Sequence, residues 1–446
     1  MKSTIAAIAT AHGIGSVAIV RLSGGNSLEI AKKVTKKDSF TPRYASLSKI
    51  FKKNGELIDE ALIIYFKSPK SFTGEDIVEF QCHGGVMVAS MILETLIDFG
   101  ARLATPGEFS KRAFLNGRVD LIKAEAVARL IEAKSEDAVK ILAKQVAGGL
   151  GEFINEARDS LIEIMAHIEV SIDYAEDDLP LNLLEKIEEK LLTLERKLEN
   201  IIEISARKKG LISGFKAVIL GKPNVGKSTL LNQILSTNRA IISTVAGTTR
   251  DTIEEEIRVG THLIKIVDTA GIRDSSDEVE RIGIGRSKEA AKSADMIIAL
   301  FDASKKVDEE DMEVLTFLEE IKGDKKCFYL LNKVEKDLKF DKTLLPKEVI
   351  EISATKDASP IIRKIREYLD TQKVDSEIIL ISENQIRRVK ETTKALKESK
   401  EFLNEGSLEL FSFHLHEAVD ALRAITRPYS VDEVMDKMFS DFCLGK

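Results

Sequence analysis

Gly221-Lys-Pro-Asn-Val-Gly226-Lys227-Ser228 lies between the apolar run Lys216–Leu220 and a segment with apolar residues at Leu230, Leu231 and Ile234. Strand, glycine-bearing loop and helix in that order are the setting in which G-x-x-x-x-G-K-[ST] binds phosphates. The glycines let backbone N–H groups wrap the anion, and the helix N-terminus adds partial positive charge. Asn224, Val225, Gly226, Lys227, Ser228 and Thr229 are the expected loop contacts. Lys227 reaches the β- and γ-phosphates, and the Ser228 hydroxyl is left for Mg²⁺.

Downstream segments narrow the nucleotide to one carrying guanine. Asp268-Thr269-Ala270-Gly271 ends the apolar run Leu263–Val267, so Asp268 can reach the metal indirectly and the Gly271 amide can face the γ-phosphate. Gly247-Thr248-Thr249-Arg-Asp251 supplies a hydroxyl, Thr249, able to close over Mg²⁺ when the γ-phosphate is present. Asn332-Lys333-Val-Glu335, followed by Ser353-Ala354, occupies the place of a base-reading motif. Together they predict a GTP-binding G domain on a mostly parallel, doubly wound sheet, with further strands at Met296–Phe301, Cys327–Leu331 and Val349–Ile352.

Two positions depart from the G-protein pattern. The base-reading carboxylate is Glu335, one methylene longer than the usual Asp. Ile272 follows Gly271 where Ras-like enzymes place a water-orienting Gln, and an aliphatic side chain cannot orient water. Asn224 offers an amide near the phosphates for a monovalent cation that would replace an arginine finger. The acidic run Asp277-Glu278-Val-Glu280 offers two carboxylates for the water, and spacing does not choose between them.

Around this insertion the texture changes. Residues 1–118 alternate short apolar runs with glycine turns (Gly15–Val20, Ala61–Phe66, Asp76–Phe80), with a helix expected over Met87–Asp98, and read as a small α+β domain. Residues 119–211 carry a helical stripe, Ile187, Leu191, Leu194, Leu198 and Ile201. Residues 374–446 return to it with Ile386, Val389, Leu396 and Leu403 before Gly406. This predicts one all-α domain split by a G domain over 212–373.

Composition agrees with a multidomain globular chain. Its 446 residues imply about three domains. With 66 Lys and Arg against 73 Asp and Glu, the net charge of −7 gives no global pull towards nucleic acid, so RNA contact needs a local basic patch. Three cysteines (Cys82, Cys327, Cys443) cannot form a disulfide framework, which fits a reducing cytoplasm. The run Ile5–Ala9 is too short for a signal h-region, and no stretch reaches the ~18 apolar residues of a membrane helix. Cys82-His83 without a second pair is a weak zinc signal. His414 and His416 read as ordinary surface or core residues.

Beyond the G motifs, the chain carries Arg21-Leu-Ser-Gly24, Phe72-Thr-Gly-Glu-Asp76, Glu79-Phe-Gln-Cys-His-Gly-Gly85, Pro106-Gly-Glu-Phe109, Arg112-Ala-Phe-Leu-Asn116, Asp277–Gly283 and the terminal Phe442-Cys-Leu-Gly-Lys446. With these segments it resembles the tRNA-modifying GTPase family MnmE, also called TrmE, along essentially its whole length. The resemblance implies an N-terminal domain that binds a tetrahydrofolate (5,10-methylene or 5-formyl) and forms a homodimer. It also implies a flavoprotein partner, MnmG, most simply in a heterotetramer. Such pairs add an aminomethyl-type group to C5 of the wobble uridine (U34) of certain tRNAs. DNA and membrane are not among the implied partners.

Carried over by motif, the nucleotide site extends through Ser243, Thr244, Val245, Ala246, Gly247, Thr248 and Thr249. K⁺ falls on Asn224, Ser243, Val245 and Thr248, and Mg²⁺ on Ser228 and Thr249. The family's water-orienting glutamate falls on Glu280. Folate contacts fall on Arg21, Glu79, Arg118 and Lys446, whose charges suit the pterin edge and the glutamate tail. Cys443 lies by resemblance near that site, where a thiolate beside Lys446 would serve as nucleophile or relay. An alternative of another class is a GTP-dependent ribosome or RNA assembly factor. Such proteins usually add a basic RNA-binding module, which this composition lacks. A nucleotide-gated scaffold that binds no folate is the third reading.

Overall fold

The computed structural model describes residues 3–173, 183–238, 254–267, 289–321, 323, 325–372, 378–404 and 407–427. The chain divides into two compact units, Met1–Ile131, Gln145–Leu191 and Arg387–Lys446 in one, Glu132–Lys144 and Leu192–Ile386 in the other.

The first unit opens with β1 (Ile5–Ile8), β2 (Val17–Ser23), α1 (Ser27–Thr35), β3 (Ser46–Phe51), β4 (Leu57–Phe66), β5 (Ile77–His83), α2 (Val86–Asp98), β6 (Arg102–Leu103) and α3 (Glu108–Leu115). The strands form one sheet in the order β3-β4-β5-β2-β1-β6, antiparallel except for β1 with β6. Period-two alternation splits the sheet's side chains between two cores. Ala6, Val20, Leu22, Ile63 and Phe80 meet the α1 and α2 residues Ile30, Val34, Ile92 and Leu96. On the other face Ile5 and Ala7 pack with Ala104 and Phe109 of α3. The apolar run at Ile5 is thus a strand, although its sequence showed only that it was too short for a signal segment.

Helices follow: α4 (Leu121–Glu132), α5 (Glu136–Ala147), α6 (Gly149–Asp173), α7 (Leu183–Arg207) and α8 (Lys209–Ser213). The expected stripe on α7 is buried at all five positions from Ile187 to Ile201.

In the second unit β7 (Phe215–Leu220), α9 (Lys227–Asn238), β8 (Glu254–Val259), β9 (His262–Val267), β10 (Met296–Asp302), α10 (Glu309–Ile321), β11 (Lys326–Asn332), β12 (Val349–Ile352) and α11 (Ser359–Asp370) build the G domain. Its sheet runs β12-β11-β10-β7-β9-β8, parallel except for the β8–β9 hairpin. β10 is buried from end to end, as an apolar central strand with both faces covered must be. β8 was not expected: its glutamates mask the pattern, yet Ile257 and Val259 are buried.

The chain closes with α12 (Glu383–Asn404) and α13 (Leu408–Thr426), and α13 lies along α6 within the first unit. Phe411, Leu415, Ala418, Leu422 and Ile425 of α13 recur at helical spacing and are buried. Among the described residues no helix is long and apolar enough to cross a membrane.

Candidate functional site

The phosphate loop leaves β7 at Leu220 and ends where α9 begins at Lys227. Two glycines there are compelled by space. A Cβ on Gly221 would meet the Leu300 carbonyl oxygen at 2.4 Å. Gly226, at φ +105°, would place one 2.4 Å from Asn332 Nδ2. Asn224 takes a left-handed φ of +62°, a conformation Asn tolerates better than most residues, and stands exposed. The Lys227 ammonium donates to the carbonyls of Gly221 (2.8 Å) and Lys222 (2.9 Å), so it lies folded along the loop.

The base-reading segment is tied to this loop by side chains. Asn332, 2% exposed at the end of β11, donates from Nδ2 to the Val225 carbonyl at 2.8 Å. Its Oδ1 accepts from the Ala354 amide at 2.9 Å. One amide therefore fixes the phosphate loop and the Ser353-Ala354 turn together. Lys333, at φ +64°, donates to the Asn224 carbonyl (2.8 Å) and to Asp302 Oδ2 (2.7 Å). Burial alone would raise the Asp302 carboxyl, but the hydrogen bonds from Lys333 and Ser304 outweigh it and hold its pKa below the ordinary value. Glu335 is exposed, and its own backbone amide and the Ser353 hydroxyl hold its carboxyl below the ordinary value. It is a carboxylate ready to accept hydrogen bonds from a base.

Val225, Ser228, Thr229, Ser353 and Ala354 cluster around the same loop ends, Val225 and Ala354 buried, Ser228 and Thr229 exposed at the first turn of α9. The other expected nucleotide and metal contacts, Ser243, Thr244, Val245, Ala246, Gly247, Thr248, Thr249, Asp268, Thr269, Ala270 and Gly271, lie outside the described residues, as does Glu280. Sequence reasoning passed over Asp302, which closes β10 and anchors Lys333. It also passed over Lys222, whose signal was only its place inside the loop.

The N-terminal unit holds a second set of polar side chains. Arg21 and Glu79 face each other across β2 and β5, and Arg21 donates from Nε (2.9 Å) and Nη2 (2.8 Å) to Glu79 Oε1. The Arg21 guanidinium lies 5.9 Å from the Phe72 ring centre and 5.8 Å from that of Phe109. Arg118 Nε donates to the Ser71 carbonyl at 3.1 Å, and Asn116 Nδ2 to that of Thr73 at 2.6 Å. Ser23 donates to Glu75 at 2.8 Å, and the buried Arg112 joins Glu75 (2.9 Å) to Glu108 (2.9 Å). Segments scattered between residues 21 and 118 thus converge on the 71–75 turn. Burial alone would raise the Glu108 carboxyl, but hydrogen bonds from Arg102, the Thr105 amide and Arg112 bring it down to about 2. Lys446 and Cys443 lie outside the described residues.

The remaining sequence signals have plain settings. Strand alternation buries Cys82, whose thiol burial pushes up to about 11, and exposes His83, which pairs with Asp59. His414 stacks on Phe402, with ring centres 5.2 Å apart, and its Nδ1 lies 2.9 Å from Glu417. His416 Nε2 lies 3.7 Å from Glu169.

The sequence profile described as the GTP-binding protein TrmE N-terminus matches residues 4–118, and that of the MnmE helical domain matches residues 121–443. The chain is 55% identical over 445 residues to a tRNA modification GTPase MnmE of Sulfurimonas denitrificans, covering 100% of both chains. It is 53% identical over 445 residues to that of Aliarcobacter butzleri, covering 100% of this chain and 99% of the other. With that of Sulfurovum sp. the identity is 50% over 447 residues, covering 100% and 99%. The chain binds and hydrolyses GTP in tRNA modification, and it belongs to the MnmE (TrmE) family of tRNA modification GTPases.

Proposed function

We propose that the chain works as a homodimer with the flavoprotein MnmG, most simply as a heterotetramer in the cytoplasm, to add an aminomethyl-type group to C5 of U34 in certain tRNAs. The observation that carries this reading is the convergence of Arg21, Glu79, Phe72 and Arg118 around one turn of a chain that also holds a guanine-nucleotide site. The division at 1–118, 119–211, 212–373 and 374–446 assigns folate binding and dimerisation to the first segment, GTP hydrolysis to the third, and the helical arms to the other two.

The folate site fits its ligand chemically. Arg118 suits the carboxylates of a folate tail, Glu79 held by Arg21 suits the amide and amino edge of a pterin, and Phe72 offers a ring face. Bound 5,10-methylene- or 5-formyltetrahydrofolate supplies the one-carbon unit. Arg21 orients Glu79, and by family resemblance Lys446 would add positive charge and Cys443 would serve as nucleophile or relay.

In the G domain Ser228 and Thr249 would hold Mg²⁺, and Asn224, Ser243, Val245 and Thr248 would hold K⁺. The exposed Ser228 at the first turn of α9 and the outward Asn224 suit these roles. A K⁺ held by these groups would supply positive charge beside the phosphates. Glu280 orients the attacking water in place of the missing Gln, and the other nucleotide contacts between Ser243 and Gly271 sense the γ-phosphate.

Incubation with MnmG, a U34-containing tRNA, methylenetetrahydrofolate, an amine donor and GTP should give a U34 nucleoside of raised mass. Omission of either folate or GTP should abolish it. Modification that proceeds without folate would overturn the one-carbon reading.

A further inference from the structure

The side chain of Lys222, the second residue of the phosphate loop, takes no part in the contacts assigned above. It is 4% exposed and reaches the start of α10. There Nζ donates to Asp308 Oδ2 at 2.5 Å and to Asp311 Oδ2 at 2.7 Å. The two carboxylates already form a reciprocal cap. The Asp311 amide donates to Asp308 Oδ1 at 3.1 Å, and the Asp308 amide to Asp311 Oδ2 at 3.3 Å. Asp311 is 2% exposed on its side chain, so its charge needs a partner held in place. The Lys222 carbonyl accepts from the phosphate-binding Lys227 at 2.9 Å.

The loop is therefore held at two places. Its second half is fixed from the base side, where Asn332 binds the Val225 carbonyl and Lys333 binds the Asn224 carbonyl. Nothing in that pair reaches Gly221 or Lys222. We infer that Lys222 is a positioning residue for phosphate binding: anchored in the Asp308–Asp311 cap, it fixes the first half of the loop, whose Gly221 and Lys222 carbonyls seat the Lys227 ammonium. The cap thereby couples the start of α10 to the loop, 86 residues earlier in the chain.

This assigns Lys222 an effect that depends on how many phosphates the ligand carries. GDP and GTP bring a β-phosphate to Lys227, whose ammonium rests on the Gly221 and Lys222 carbonyls, whereas GMP lacks the β-phosphate. Lys222→Met alone strands the buried Asp311 charge and risks misfolding, so the informative variant is the double substitution Lys222→Met with Asp311→Asn. The measurements are thermal melting of the full chain and titrations with fluorescent GDP and with GMP. The double variant should melt near the parent and bind GDP about tenfold more weakly, the scale of one charge-assisted anchor. GMP affinity should change less than about twofold, and the single variant Lys222→Arg should keep parental GDP binding because its fork reaches both carboxylates. Parental GDP affinity in the double variant would overturn the assignment, as would equal weakening of GDP and GMP or an equal loss of GDP binding in Lys222→Arg.

Discussion

Asn332 is one side chain with two buried backbone partners in separate loops, Val225 and Ala354. Its loss leaves a carbonyl and an amide unpaired, each costing about 1–3 kcal/mol when buried. Asn332→Ala should therefore weaken GTP binding at least tenfold in a fluorescent-nucleotide titration, even though the amide need not touch a phosphate. Glu108 acts on stability instead. Its folded pKa of about 2 lies below the unfolded carboxylate value, so its stabilisation is complete above about pH 4.5 and is lost as pH falls towards 2. A shift of that size is worth at most about 3 kcal/mol, with solvent at the partly exposed Arg102 reducing it. Glu108→Gln should flatten the decline in melting temperature between pH 4.5 and 2.5, and an unchanged slope would remove Glu108 as its source.

Among the elements, the phosphate loop is where packing leaves least freedom. A methyl on Gly226 would both strain a φ of +105° and strike the Asn332 amide. Gly226→Ala should thus disable GTP binding while circular dichroism shows an intact fold. The loop and its base-reading partner were legible in sequence because their chemistry is written in short contiguous motifs. The five parallel strands of the G domain were legible for a related reason: apolar runs such as Met296–Phe301 carry burial on both faces. Elements made by distant pairing were not. β6 is two residues long and exists through its register with β1, and β8 is a glutamate-rich edge whose buried side chains, among the described residues, are Ile257 and Val259. The Asp308–Asp311 cap has a local signature, but its tie to Lys222 depends on the three-dimensional path of the sheet. In the N-terminal unit, Arg21 and Glu79 are 58 residues apart and meet only because β2 pairs with β5. Family resemblance, not spacing, singled them out in the sequence.

Across the whole molecule, a GTPase that lacks a Gln after its Asp-Thr-Ala-Gly motif must obtain its transition-state charge and its oriented water elsewhere. Replacing K⁺ with Na⁺ should slow GTP turnover, and Glu280→Ala should lower kcat while leaving nucleotide affinity near the parent value. Equal rates in the two salts would remove the potassium assignment, and full activity in the variant would remove Glu280. The proposed joining of this GTPase to one-carbon chemistry rests on the N-terminal unit, so its ligand is the most direct test. Calorimetric titration of the full chain with 5-formyltetrahydrofolate, without nucleotide, should give saturable binding that Arg21→Ala abolishes. Absence of binding to the parent chain, or binding unaffected by Arg21→Ala, would contradict the account.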